Sequence, residues 1–228
     1  TRSSSVTGVQ TCALPIYTTF LNTGRLVLGD AAADSLSFAG GLTATAPSAI
    51  HVAGSVGTTD AAITLGAAPV TLLADATLNA GTGAISLGGT VDGGHHLTLN
   101  STGTTTLNDA IGHNTALTGL TTNALGTLVM NAHTVTTTGA QSYGEAMTLL
   151  STTTLDAGAG DVTFSRTVDA TRNFLPEQKL TFAGQDSKSP LPNVSVKVDP
   201  FSLVSTFELP PAKQPGGSVS LMIDARDP

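Results

Sequence analysis

The chain is poor in charge, aromatic residues and cysteine. Of its 228 residues only 11% are charged and 4% are aromatic, and it has no Trp. That charged fraction is less than half the ~25% usual for soluble domains. A disordered acidic chain would carry more charge and less Val, Leu and Ile than this 40% hydrophobic sequence, so wholesale disorder is excluded. Nine Lys and Arg face sixteen Asp and Glu, a net charge of −7, which argues against a basic nucleic-acid-binding surface. No uninterrupted apolar run approaches the ~18 residues that span a bilayer as a helix. A single cysteine, Cys12, leaves no disulfide framework and no thiolate metal site. What remains abundant is Thr, Gly and Ala between short apolar runs, a composition that points to stacked β-strands.

Residues 6–16 read Val-Thr-Gly-Val-Gln-Thr-Cys-Ala-Leu-Pro-Ile. This string matches the in-frame translation of a common short-read sequencing adapter, and the leftover T would begin the codon of Tyr17. Residues 1–17 are therefore expected to be an artefact without order, and are set aside from fold reasoning. Cys12 falls inside them, which leaves the remaining chain free of cysteine. The segment has neither the basic start nor the apolar stretch of a secretory signal. On this reading the natural N-terminus lies elsewhere.

The sequence repeats itself. Residues 70–92 (VTLLADATLNAGTGAISLGGTVD) align without gaps with residues 147–169 (MTLLSTTTLDAGAGDVTFSRTVD), and eleven of the 23 pairs are identical. Gly81/Gly158 and Gly83/Gly160 are kept, as is the apolar phase. The offset from Val70 to Met147 exceeds one supersecondary unit. It would hold three or four coils of about 20–25 residues, the size of solenoid repeats.

Strand-like pieces recur at 50–56, 61–65, 70–73, 84–87, 97–99, 104–107, 126–130, 135–138 and 162–164. Several alternate apolar and polar residues, as in Leu97-Thr98-Leu99. Helix is disfavoured by the Thr triplets at 104–106, 136–138 and 152–154 and by frequent Gly. The pattern predicts an all-β fold, a right-handed parallel β-helix (a solenoid) over residues 18–172. Inward Val, Leu, Ile and Ala would stack into one continuous core, and Thr, Ser and Asn would face water.

Near residue 173 the composition changes. Eight of the eleven prolines lie from Pro176 onward, and no Lys precedes Lys179. Leu180-Thr181-Phe182 echoes Leu97-Thr98-Leu99 and predicts one more coil. Residues 173–228 read as a Pro-rich extended tail or cap, less ordered than the body, with extended pieces at 194–198 and 219–223.

The body resembles the β-helical passenger regions of bacterial exoproteins of the filamentous-haemagglutinin type, exported by two-partner secretion, and the texture of autotransporter passengers. The resemblance lies in phrases such as TVDGGHHLTLNSTGTTTLNDAIG (90–112) and LTTNALGTLVMNAHTVTTTGAQSYGEAMTL (120–149) and covers roughly residues 24–170. It is a repeat texture, without an active-site motif. It implies a fragment of a large adhesin-like protein, secreted or displayed on the outer cell surface. It also implies surface glycans or proteins of a host or neighbouring cell as partners, and an outer-membrane translocator during export.

Candidate sites are few. His95 and His96 are adjacent, and neighbours on a strand point to opposite faces, so the pair is a poor chelate. His51, His113 and His133 are isolated, and no three or four convergent metal ligands emerge. Some parallel β-helices cleave polysaccharides, which takes two carboxyls ~5–9.5 Å apart. Asp75, Asp92 and Asp109 are evenly spaced, but at an interval that fits poorly with the offset between the repeat copies. Asp92 recurs as Asp169, but Asp75 aligns with Thr152. A lyase also wants a base near the acids, and Arg25 is the only Lys or Arg between residues 17 and 160. Turn aspartates are the expected role. Asn100-Ser101-Thr102 and Asn193-Val194-Ser195 match the glycosylation pattern by chance. The reading is therefore no catalytic, metal or cofactor-binding residue, no cofactor, and a structural or adhesive stalk segment. The alternatives are a carbohydrate-active β-helix enzyme and a self-associating matrix or surface-layer protein.

Overall fold

A computed structural model of the chain describes residues 17–123 and 125–169 in full. It also describes the backbone of residue 170 and of the strands Ser4–Val6, Gln178–Ala183, Val194–Val198, Leu203–Phe207 and Val219–Ile223. The backbone of Ser4–Val6 lies parallel to Arg25–Leu28. Otherwise the disorder expected of the first segment, and of the joints in the tail, lies outside the described residues. Among the described residues there is no helix.

The fold is a β-solenoid of about seven coils, each laying parallel strands against its predecessor. The coil has three inward-facing rows. On the first face Leu26, Ile50, Val70, Val91, Ile111, Val135 and Leu155 pair in succession. On the second, Leu36, Val56, Leu78, Leu99, Thr122, Tyr143 and Phe164 do so. On the third, the row is Leu42, Ile63, Ile85, Thr105, Leu128, Met147 and Val168. All of these side chains are buried. The steps between successive members of the first row match the coil of about 20–25 residues that the repeat implied.

Two neighbouring coils begin as single bent strands. Ala49–Gly57 and Val70–Gly81 both run through the first corner, and their pairing shifts register there, between Val52 opposite Leu72 and Gly54 opposite Ala76. Later coils break the same path into separate strands, such as Val91–Asp92 and His96–Ser101. Strict alternation explains why side chains sort cleanly. In His96–Ser101, Leu97, Leu99 and Ser101 are buried while His96, Thr98 and Asn100 are half-exposed. Each Val or Leu so buried contributes about 1.5–3 kcal/mol. The outer side of the second face carries a hydroxyl row, Ser35, Ser55, Thr77, Thr98, Thr121, Ser142 and Thr163, one per coil.

All nine strand-like pieces read from the sequence overlap strands of the fold. The repeat, however, is out of phase with the coil. Val70 stands on the first face, and its counterpart Met147 on the third. Leu78 stands on the second face, and its counterpart Leu155 on the first. The offset spans three coils and two further faces, so a stretch is reused at a different side of the coil.

The strand that predicted an extra coil is present in the backbone, and the residues that would complete the coil lie outside the described ones. Gln178–Ala183 lies parallel to Thr153–Asp156, with Leu155 opposite Phe182. Val194–Val198 adds to Val168–Ala170 in the same direction. The next pairings reverse: Leu203–Phe207 and Val219–Ile223 run antiparallel to their neighbours. The pieces at 194–198 and 219–223 are thus strands.

Candidate functional site

The carboxylates raised as a possible hydrolytic group occupy different parts of the coil. Asp75 sits at the bend inside Val70–Gly81, Asp92 in the strand Val91–Asp92, and Asp109 just beyond Thr104–Leu107. Their even spacing falls short of the coil length, so each steps back around the perimeter. Asp92 and its repeat partner Asp169 lie on different faces, opposite Thr71 and Thr148.

Three of the aspartates, Asp60, Asp75 and Asp92, hold backbone of the next coil instead. Asp92 Oδ1 accepts from the N–H groups of Asn114 (2.7 Å) and Thr115 (3.1 Å), and Oδ2 from Asn114 Nδ2 (3.1 Å). Asp75 Oδ1 accepts from the His96 N–H at 2.8 Å, and Asp60 Oδ1 from the Thr82 N–H at 2.9 Å. Donor and acceptor are about one coil apart in sequence in each case, so the carboxylate of one coil satisfies a backbone donor of the next. At corners, where ladder hydrogen bonding lapses, this meets the demand of backbone N–H groups for a partner.

The histidines do not converge. His95 Nδ1 lies 3.9 Å from Asp75 Oδ1 at the surface. The His96 ring reaches the other way and meets Thr121 Oγ1 through Nε2 at 3.0 Å. It covers Gly119, where a Cβ would lie 2.6 Å from Nδ1. His51 stands in line with Val27 and Thr71 on the outer side of the first face; partial burial and then the Arg25 charge lower its pKa. His113 and His133 are exposed, the latter with Nδ1 3.3 Å from the Thr152 carbonyl. Among the described residues, no group of three or more His, Cys, Asp or Glu is placed to hold a metal ion. Ser101 of the Asn100-Ser101-Thr102 acceptor pattern is buried; its hydroxyl donates to the Gly83 carbonyl at 2.6 Å. The second pattern begins at Asn193, outside the described residues.

The unusual chemistry lies inside the rod. Two of its corners are polar. At the first, Gln141 interrupts the apolar row of Leu120 and Val162. Its Nε2 donates to the carbonyls of Val135 (3.1 Å) and Asp156 (2.9 Å) and lies 3.2 Å from Thr137 Oγ1; its Oε1 accepts from the Tyr143 hydroxyl at 2.9 Å. A fully bonded amide is tolerated in a core. At the second, Glu145 is 1% exposed. Its Oε1 accepts from Thr105 Oγ1 at 3.2 Å, and its Oε2 has no partner. Desolvation pushes this carboxyl up to about 7, opposed by the hydroxyls of Thr105 and Thr122.

Neither corner was singled out in the sequence. The signal was there: Glu145 shares the inward parity of Met147 and Leu149 and is the sole Glu before residue 177. No family model, no curated protein and no solved structure matches the chain. The architecture and the residues themselves carry the functional reading.

Proposed function

We propose that the chain is a structural or adhesive stalk segment of a large secreted or surface-displayed bacterial exoprotein, and that it has no catalytic activity. The observation that carries this reading is the unbroken inward stack of three rows through about seven coils. Such a stack resists bending because each coil bonds its strands to the next, and it lengthens by adding coils without altering the core. The outer faces support the same role. They present Thr, Ser and Asn hydroxyls and amides at strand spacing, about 4.8 Å apart, suited to weak multivalent contacts with glycans or proteins of a cell surface.

The aspartates argue against the carbohydrate-active alternative, since those that bridge the coils are spent on backbone donors. Two experiments test the proposal. Pulling a single molecule between its ends should give a mechanical unfolding event at forces above those of an unstructured spacer. Incubation with uronic-acid and neutral polysaccharides should release no reducing ends or unsaturated products. Release of either product would overturn the stalk reading in favour of the enzyme.

A further inference from the structure

We propose that Glu145 makes the stacking of the coils pH-dependent: neutral, its carboxyl sits inside the rod; ionised, it loosens the corner where residues 144–146 dock on the preceding coil. The geometry is that of an acid built into a core. The side chain is 1% exposed, Oε1 is reached by the Thr105 hydroxyl from two coils earlier, and Oε2 has no partner. Thr122, from the coil between, is turned toward the same corner and accepts from the Gly144 N–H at 3.2 Å. Inward polar side chains from three successive coils thus gather at one place in an otherwise aliphatic interior.

Among the described residues, no charge compensates the carboxyl. The preceding coils present Thr105, Thr122 and Leu128, all neutral. On its own coil the nearest titratable group is Tyr143, whose hydroxyl burial raises far above its usual range. The next coil presents Phe164 and Val168, with Arg166 exposed between them. The causes acting on Glu145 are desolvation and two hydroxyls, with no charged partner among the described residues. A buried anion with one oxygen unbonded is costly, whereas the protonated acid is not.

The sign follows from linkage. The carboxyl titrates near 4.5 in the unfolded chain and near 7 in the fold. Well below pH 4.5 both states hold the proton and Glu145 costs the fold nothing. Between these values the fold holds a proton that the unfolded chain has lost, so stability falls as pH rises, and above about 7 the loss is complete. One proton makes the unfolding constant rise up to about tenfold per pH unit, on the order of a hundredfold in all.

The test uses the full chain. Unfolding constants of the wild type and E145Q are measured from pH 4 to 9, and their ratio removes every other titration. The ratio should climb between pH 5 and 7 and then level; a ratio constant across the range overturns the proposal. A second measurement needs no stable variant. The chain has three glutamates, Glu145, Glu177 and Glu208, so selective 13C labelling of Glu side-chain carboxyls gives three signals. One should titrate near pH 7, and amide exchange at residues 143–147 should quicken with the same midpoint beyond the intrinsic pH effect. Three midpoints below pH 5 refute it.

Discussion

Tyr143 lies flat on Phe164, with ring centroids 5.2 Å apart and planes 14° from parallel. The two are directly paired on adjacent coils, so the aliphatic row of the second face ends in an aromatic stack. The Tyr143 hydroxyl at the same time closes the hydrogen bonding of Gln141. Tyr143→Phe keeps the stack and removes that donor. It should cost about 1–3 kcal/mol, the penalty for an orphaned buried acceptor. Urea unfolding measures this, and Gln141→Leu should cost at least as much, because the Val135 and Asp156 carbonyls lose their amide donor.

Large-to-small changes in the rows should be expensive wherever they fall along the rod. Leu99→Ala and Ile85→Ala remove fully buried branches from between two stacked neighbours, and each should cost about 2–5 kcal/mol. Leu21→Ala, at a side chain 78% exposed, should stay within about 0.5 kcal/mol. Equal losses at exposed and inward positions in chemical denaturation would contradict the assigned strand parity.

Gly81 and Gly158 adopt the same left-handed conformation, φ 59° and 56°. Each follows a side-chain oxygen two positions back that accepts its N–H, Asn79 Oδ1 at 3.2 Å and Asp156 Oδ1 at 2.9 Å. Local strain alone would make the two Gly→Ala changes equal, about 1 kcal/mol each. Their neighbours differ. A Cβ at Gly81 runs into the Asp60 carboxylate, which holds the Thr82 N–H, whereas a Cβ at Gly158 meets nothing nearer than the Thr137 carbonyl at 3.1 Å. Gly81→Ala should therefore cost about 2 kcal/mol or more, and Gly158→Ala about half of that. Thermal unfolding of the two variants compares them directly.

Asp92→Ala should free the N–H groups of Asn114 and Thr115. The expected cost is about 1–2 kcal/mol, with faster amide exchange confined to residues 112–116. Exchange unchanged at those amides would show that the carboxylate does not hold them.

Asp34 sets a small acid limb. The backbone N–H groups of Asp30 and then Ala31 lower its pKa below 3.8. Because the folded value is depressed, its contribution is present above pH 3.8 and is lost as pH falls through the folded value. Asp34→Asn should flatten the stability profile below pH 4 in urea titrations and leave its shape unchanged near pH 7. Glu145 acts in the opposite sense, so the two residues bracket the pH range from either side.

Length, composition and alternation were enough for the parallel stack, the approximate coil length and most of the strands. The reason is physical. A strand that buries one face must alternate, and a solenoid repeats that demand every coil. Val162-Thr163-Phe164 is legible by itself for this reason. Strands such as Gly119–Thr122 and Gln141–Tyr143 were not, because they place Thr122 and Gln141 inward, against the apolar rule. Those exceptions become sensible only when neighbouring coils supply the partners.

The sequence by itself determined that short strands stack in parallel, because their apolar residues have no other surface to bury against. The tertiary structure alone decided which face each copy of the repeat occupies, since the offset between copies is not a whole number of coils. It alone also decided which polar residues meet inside. Glu145 and Thr105 are far apart in the chain and touch only because two windings bring them to the same corner.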